Sequence, residues 1–119
     1  MNGKLQDSEL KIMNVIWREG TVTAKRIAEI LRRETGWNVN TTYTLIKRCV
    51  EKGAVERTEP NFTCRALVKK EDVQREETDL LIEKIFDGSA DKLFASLLGR
   101  KKLSPEEIVR LREIVGKLE

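Results

Sequence analysis

Between Trp37 and Gly53 the chain reads WNVNTTYTLIKRCVEKG, and this stretch limits the fold more than any other. Gly36 closes whatever precedes it. Asn38 is a good N-cap, because its side-chain oxygen can take a free backbone N–H of the first turn. Two apolar registers compete beyond it. Val39, Tyr43, Ile46 and Val50 fit one face at i, i+4, i+7 and i+11, while Thr42, Leu45, Ile46 and Cys49 fit a second, offset face. Both registers describe a helix, and both leave Asn40, Thr41, Thr44, Lys47 and Arg48 facing outward. Short hydroxyl and amide groups at a helix start, followed one turn on by cations, suit a helix end lowered into a DNA groove. Thr and Asn can reach base edges and phosphates there, and Arg48 a phosphate or a guanine. An ordinary solvated face has the same composition, since surface helices are polar on the outside.

The flanking chain supplies context. Asp7 is placed to cap a first helix, with Leu10, Met13, Ile16 and Trp17 on its apolar stripe and Gly20 as its stop. A second helix opens at Thr23. Val22 and Ile27 are spaced for a hydrophobic staple, and Ala24, Ile27, Ala28 and Leu31 form the inner face. Lys25, Arg32 and Arg33 point to water or phosphate. Thr23 and Lys25 are the better phosphate candidates, because a helix N-terminus favours an anion. After Gly53 the period changes: Ala54–Thr58 and Phe62–Val68 read as short strands around Glu59, Pro60 and Asn61, which is turn chemistry for a hairpin.

Three helices and a two-stranded hairpin form the layout of a winged helix-turn-helix, whose third helix enters the major groove while the hairpin flanks it. Arg57, Asn61 and Arg65 are then the wing residues able to touch phosphate. The plainer alternative is a hairpin that only closes the core through Val55, Phe62, Cys64 and Leu67. Charge supports the first reading. Residues 1–70 carry 14 Lys and Arg against 8 Asp and Glu, a net of +6, and residues 71–119 carry 9 against 12, a net of −3. A basic first half joined to an acidic second half suggests that the first half meets a polyanion.

Composition excludes other classes. With two cysteines, Cys49 and Cys64, and no histidine, the chain lacks the four ligands of a conventional zinc site. The two thiols read most simply as small buried apolar residues, with a disulfide or a thiol sensor as alternatives. No nucleophile–base spacing or phosphate-binding glycine loop is present, so we expect no enzyme and no cofactor. Glu76–Glu77 and Glu106–Glu107 read as solvated helix charge. No apolar run approaches the roughly 20 residues of a membrane span. The opening MNGKLQDSEL is no signal peptide, so a cytoplasmic protein without direct membrane binding is expected.

From Glu71 the helical period returns. Val73, Leu80, Leu81, Ile85 and Phe86 mark a fourth helix broken at Gly88, and Leu93, Phe94, Leu97 and Leu98 a fifth that starts at Ser89 or Asp91 and ends at Gly99. Arg100, Lys101 and Lys102 form a basic link. Ser104 and Glu107 then make a capping box with Pro105 at N1 and a Leu103–Ile108 staple. Ile108, Leu111, Val115 and Leu118 repeat in a 3-4-3 spacing, like the seam of a coiled coil. Three short amphipathic helices of this size cannot hide so much apolar surface alone. A symmetric dimer solves this with one patch on each copy and reads a palindrome; folding back on the first domain as a monomer is the alternative. The expected organisation is a DNA-binding domain over residues 1–70 and a three-helix dimerisation domain over 71–119. Leu80, Leu81, Ile85, Leu93, Phe94, Leu97, Ile108, Leu111, Val115 and Leu118 are the candidate interface.

DSELKIMNVIW, the run WNVNTTYTLIKRCVEKGAVER, the ending RALV, and later IEKIFDGSADKLFASLL with LSPEEIVRLREIV resemble the penicillinase and methicillin-resistance repressor family (BlaI/MecI/CopY). The resemblance runs from Leu5 to Leu118 and is strongest at Trp37, Thr41, Thr44, Leu45, Arg48, Lys52 and Gly53. It implies a mainly α fold with a small β-hairpin, in which Thr42, Leu45, Ile46 and Cys49 face the core. Asn40, Thr41, Tyr43, Thr44, Lys47 and Arg48 then face DNA. It also implies a homodimeric repressor of a palindromic double-stranded operator, with C-terminal helices that intertwine, released when a membrane sensor protease triggers cleavage in the fifth helix.

This chain departs from the family at several places. Where the family usually has an Asn-Phe scissile bond, the corresponding bond here is Ser96–Leu97. Thr42 and Cys49 replace a β-branched apolar residue and a leucine. Asn40 and Tyr43 stand where relatives are often basic or polar, an expected source of base preference other than the family's TACA/TGTA half-sites. The C-terminal cysteine cluster of the copper branch is missing. Two other readings remain: a thiol switch through Cys49, and a winged helix used only to dock another protein.

Overall fold

The computed structural model describes residues 1–100 and 102–118. The first helix, α1 (Asp7–Glu19), starts one residue earlier than Asp7 suggested. Gln6 is the N-cap in extended backbone, and its N–H donates to Glu9 Oε1 at 2.7 Å. Asp7 therefore lies in the first turn, where a negative charge suits the helix dipole. Gly20 stops the helix at φ 81°, a conformation that an L side chain resists. A two-residue strand β1 (Val22–Thr23) leads into α2 (Ala24–Thr35), and Thr23 caps it by accepting the Arg26 N–H at 3.1 Å. Asn38 caps α3 (Val39–Glu51) in the same way, taking the Thr41 N–H at 2.8 Å.

The hairpin consists of β2 (Val55–Thr58) and β3 (Thr63–Ala66), but the sheet has three strands in the order β1-β3-β2, all antiparallel. Val22 pairs with Cys64 and Thr23 with Thr63. Two residues are too few to display an alternating pattern, so β1 read only as a cap and a staple. Phe62 sits in the turn at φ 48° next to Asn61 at φ 72°, instead of opening the strand. Leu67 lies outside the core and is exposed.

The core of this part is built from Ile12, Met13, Val15 and Ile16 of α1, Ile27 and Leu31 of α2, Leu45, Ile46 and Cys49 of α3, and Val55 and Cys64 of the sheet. Leu10 and Trp17 pack on its edge, and the Trp17 indole N–H donates to the Val68 carbonyl at 3.0 Å. Among the described residues Val73 is the last buried one along the chain. The chain divides into two compact units, Met1–Val73 and a second from Gln74 onward.

Beyond the wing run α4 (Lys70–Ile85), α5 (Ala90–Gly99) and α6 (Pro105–Leu118). Gly88, at φ 76°, follows the end of α4. Ser89 is the N-cap of α5. The box at α6 is formed: the Ser104 N–H donates to Glu107 Oε1 at 3.0 Å and the Glu107 N–H to Ser104 Oγ at 3.1 Å. In the second unit no described residue is buried.

Candidate nucleic-acid interface

Packing selects one of the two registers of α3. Thr42, Leu45, Ile46 and Cys49 are buried, whereas Val39, the first member of the other register, is 43% exposed. Asn40, Thr41, Thr44, Lys47 and Arg48 consequently cover the open face. Thr41, Thr44 and Arg48 line a groove of about 510 Å³ together with Asn40, Trp37 and Ser8. Ser8 comes from α1 and had no signal in the sequence; only the packing of α1 on α3 brings its hydroxyl there. On the other side of the same face Tyr43 is half-buried, its ring meeting Phe62 edge-on with centroids 5.7 Å apart.

The wing cations are exposed but engaged within the wing. Arg57 pairs with Glu59 at 2.7 Å and its guanidinium lies 3.6 Å from the centre of the Phe62 ring. Arg65 pairs with Glu56 at 3.0 Å. Asn61 stands exposed at the turn. Thr23 uses its hydroxyl to cap α2, and Lys25 is exposed in the first turn of that helix.

The far end of α3 is held by a polar network that sequence reasoning missed. Glu9 is 1% exposed, and Lys52 Nζ lies 2.6 Å from its Oε1 and donates also to the Lys4 carbonyl at 2.7 Å. Burial by itself raises the Glu9 carboxyl, but the Gln6 N–H, the Lys52 ammonium and the charge of Arg48 outweigh it and hold the group below the usual carboxylate range. Glu9 carried no signal in the sequence, because its partner Lys52 is 43 residues away. Thr42 Oγ1 is buried without a hydrogen-bond partner.

Cys49 and Cys64 are both free and buried. Burial pushes the Cys49 thiol up to about 12 and the Cys64 thiol up to about 11, so both remain protonated at neutral pH. A protonated, enclosed thiol is a poor redox sensor. Among the described residues no cluster of three or more His, Cys, Asp or Glu could hold a metal, and no helix is long and apolar enough to cross a membrane.

Of the residues expected to pair two copies, Leu80, Leu81, Ile85, Phe94 and Val115 are exposed, while Leu93, Leu97, Ile108 and Leu111 are half-buried. Phe94, Leu98, Leu103, Ile108, Leu111 and Val115 line an apolar groove of about 460 Å³. Lys101 and the side chain of Leu118 lie outside the described residues. Ser96 and Leu97 are within α5, and their carbonyls accept the Arg100 and Lys102 N–H groups.

The sequence profile of the penicillinase repressor matches residues 5–117. The chain belongs to the penicillinase repressor family. That family comprises transcriptional repressors and not enzymes. The methicillin resistance regulatory protein MecI of Staphylococcus aureus (strain N315) is 29% identical over 116 residues, covering 96% of this chain and 94% of its own. The penicillinase repressor of Bacillus licheniformis is 23% identical, covering 94% and 89%. Among solved structures, the solution structure of the DNA-binding domain of the repressor BlaI superimposes with a TM-score of 0.54 at 25% identity, covering 60% of this chain and 93% of that one. The winged-helix reading of the first unit therefore rests on both fold and sequence, with three strands where the hairpin alone was expected.

Proposed function

We propose that this chain is a sequence-specific repressor that acts in the cytoplasm, binding double-stranded operator DNA as a homodimer. The observation that carries the reading is the open face of α3, where Asn40, Thr41, Thr44, Lys47 and Arg48 are all exposed and all but Lys47 line one groove, while the opposite face is sunk in the core. Thr41, Thr44 and Tyr43 choose bases; Lys25, Lys47 and Arg48 neutralise phosphates. Arg57, Asn61 and Arg65 act as secondary backbone contacts, since Glu59 and Glu56 already offset the two arginines. Thr23 contributes as the cap that aims the start of α2 at a phosphate.

The second copy is argued from the C-terminal unit, whose described apolar side chains are exposed or only half-buried. Leu80, Leu81, Ile85, Leu93, Phe94, Leu97, Ile108, Leu111 and Val115 form the seam. Release by a membrane sensor protease that cuts Ser96–Leu97 requires the end of α5 to unwind first, because the carbonyl of that bond, on Ser96, accepts the Arg100 N–H.

Titrating a promoter duplex with salt tests the DNA reading. Three phosphate-neutralising cations on each of two copies give a slope of about −5 in log K against log salt. A binding constant that does not change with salt, or a protein that stays monomeric at micromolar concentration, removes the proposal. Arg48→Ala is expected to weaken binding by about 1–3 kcal/mol if the guanidinium reaches a guanine.

A further inference from the structure

The wing turn keeps a bulky side chain where glycine is the usual choice. Phe62 lies at φ 48°, directly after Asn61 at φ 72°, in the left-handed region that L residues with large side chains resist. Such a conformation persists only when its surroundings over-determine it, and it tends to mark a functional constraint. The surroundings here are specific. The Phe62 N–H donates to Glu59 Oε2 at 3.3 Å, and its carbonyl accepts the N–H of Ala24, the first residue of α2, at 2.9 Å. Its ring stands between the Arg57 guanidinium, 3.6 Å from the ring centre, and the Tyr43 ring, met at 80°. Glu59 closes the assembly by accepting from Arg57 Nε at 2.7 Å.

We propose that Phe62 is a positioning residue for base choice: its ring fixes the rotamer of Tyr43, so that wing and α3 meet DNA as one rigid body. This rests on the reading of α3 as the DNA-reading helix. Tyr43 shares a stripe with Asn40, Thr44 and Lys47 at helical spacing, and its hydroxyl can both donate and accept. A tyrosine free to change rotamer spreads that hydroxyl over several positions and discriminates poorly; one locked by packing holds it at a single base edge.

A double-mutant cycle in the full chain tests this, with Tyr43→Phe removing only the hydroxyl and Phe62→Gly removing the ring at a position glycine tolerates. The probes are a duplex selected by the wild-type protein from a random-sequence library and a scrambled duplex of the same length. In the wild-type background Tyr43→Phe lowers the ratio of selected to scrambled affinity about tenfold. In the Phe62→Gly background the same change lowers it less than about twofold, and Phe62→Tyr, which keeps a ring, restores the full loss. Within each background, Tyr43→Phe leaves the affinity for the scrambled duplex and its salt slope constant, because the change removes an uncharged hydroxyl and no cation. If Phe62→Gly does not fold, Phe62→Leu, which fills space without a ring face, takes its place. Equal losses in both backgrounds, or no loss in wild type, overturn the role of Phe62 while leaving the DNA reading intact. A wild-type protein that enriches no sequence from the library removes both.

Discussion

The two halves of this molecule use the same materials with opposite outcomes. Both are built from short amphipathic helices. Up to Val73, α1, α2, α3 and the sheet cover one another, and Ile12, Met13, Ile27, Ile46 and Cys64 are fully enclosed. From Gln74 onward three helices leave Ile85 64%, Ile114 56% and Val115 55% exposed. What differs is the number of layers available to each apolar face. A sheet edge and three crossing helices close a core of modest size, whereas the C-terminal helices cannot shield one another on every side. An apolar stripe of that extent calls for a second surface, and the same stripe on another copy is the simplest one.

The contrast breaks most visibly at the buried ion pair. Lys52→Met strands the Glu9 carboxylate inside the first unit and should destabilise it by about 3–5 kcal/mol, read by chemical denaturation. The acid limb gives an independent reading. The folded Glu9 titrates below its ordinary value, so the pair stabilises the fold fully above the unfolded carboxylate range near about pH 4.3. That stability is lost as pH falls through the lowered folded value. Lys52→Met should flatten this limb; an unchanged acid profile would mean that Glu9 is not held by Lys52.

Next in size comes a matched pair of truncations. Ile46→Ala opens a cavity at a fully buried site and should lower stability by about 2–5 kcal/mol. Val115→Ala, at a site 55% exposed, should leave the melting of the first unit within about 0.5 kcal/mol of wild type. Equal effects would erase the distinction between the halves. The C-terminal half should respond in a different observable. Leu98→Glu together with Val115→Glu places charge on the apolar groove and should weaken self-association by about 100-fold in sedimentation equilibrium, with the first unit still folded.

What the sequence disclosed follows the same division between short and long range. Capping by Thr23, Asn38 and the Ser104–Glu107 box depends on residues three apart, and all are formed as read. The outward set on α3 was also legible, because both candidate registers shared it. Which register is buried was open from spacing alone: Val39 and Val50 are more apolar than Thr42 and Cys49, and packing against α1 and the sheet chose the more polar pair. The Glu9–Lys52 pair, the strand made of Val22 and Thr23, and the approach of Ser8 to the groove all join parts of the chain far apart in sequence. The ion pairs of the wing were illegible for another reason: Glu59 and Glu56 come to lie against Arg57 and Arg65 only once the hairpin has formed.

The smallest expected effect has the opposite sign and probes the register directly. Thr42 is fully buried and its hydroxyl finds no partner, so folding strips water from a polar group and returns no hydrogen bond. Thr42→Val keeps the branched shape, has a similar helix propensity and removes the unsatisfied oxygen. It should stabilise the first unit by about 1 kcal/mol, raising its Tm by about 4–8 °C for a domain of this size. Thr41→Val, one residue away on the open face, should leave Tm nearly unchanged and weaken operator binding instead. If Thr42→Val lowered Tm while Thr41→Val raised it, the face of α3 turned to the core would have been assigned the wrong way round.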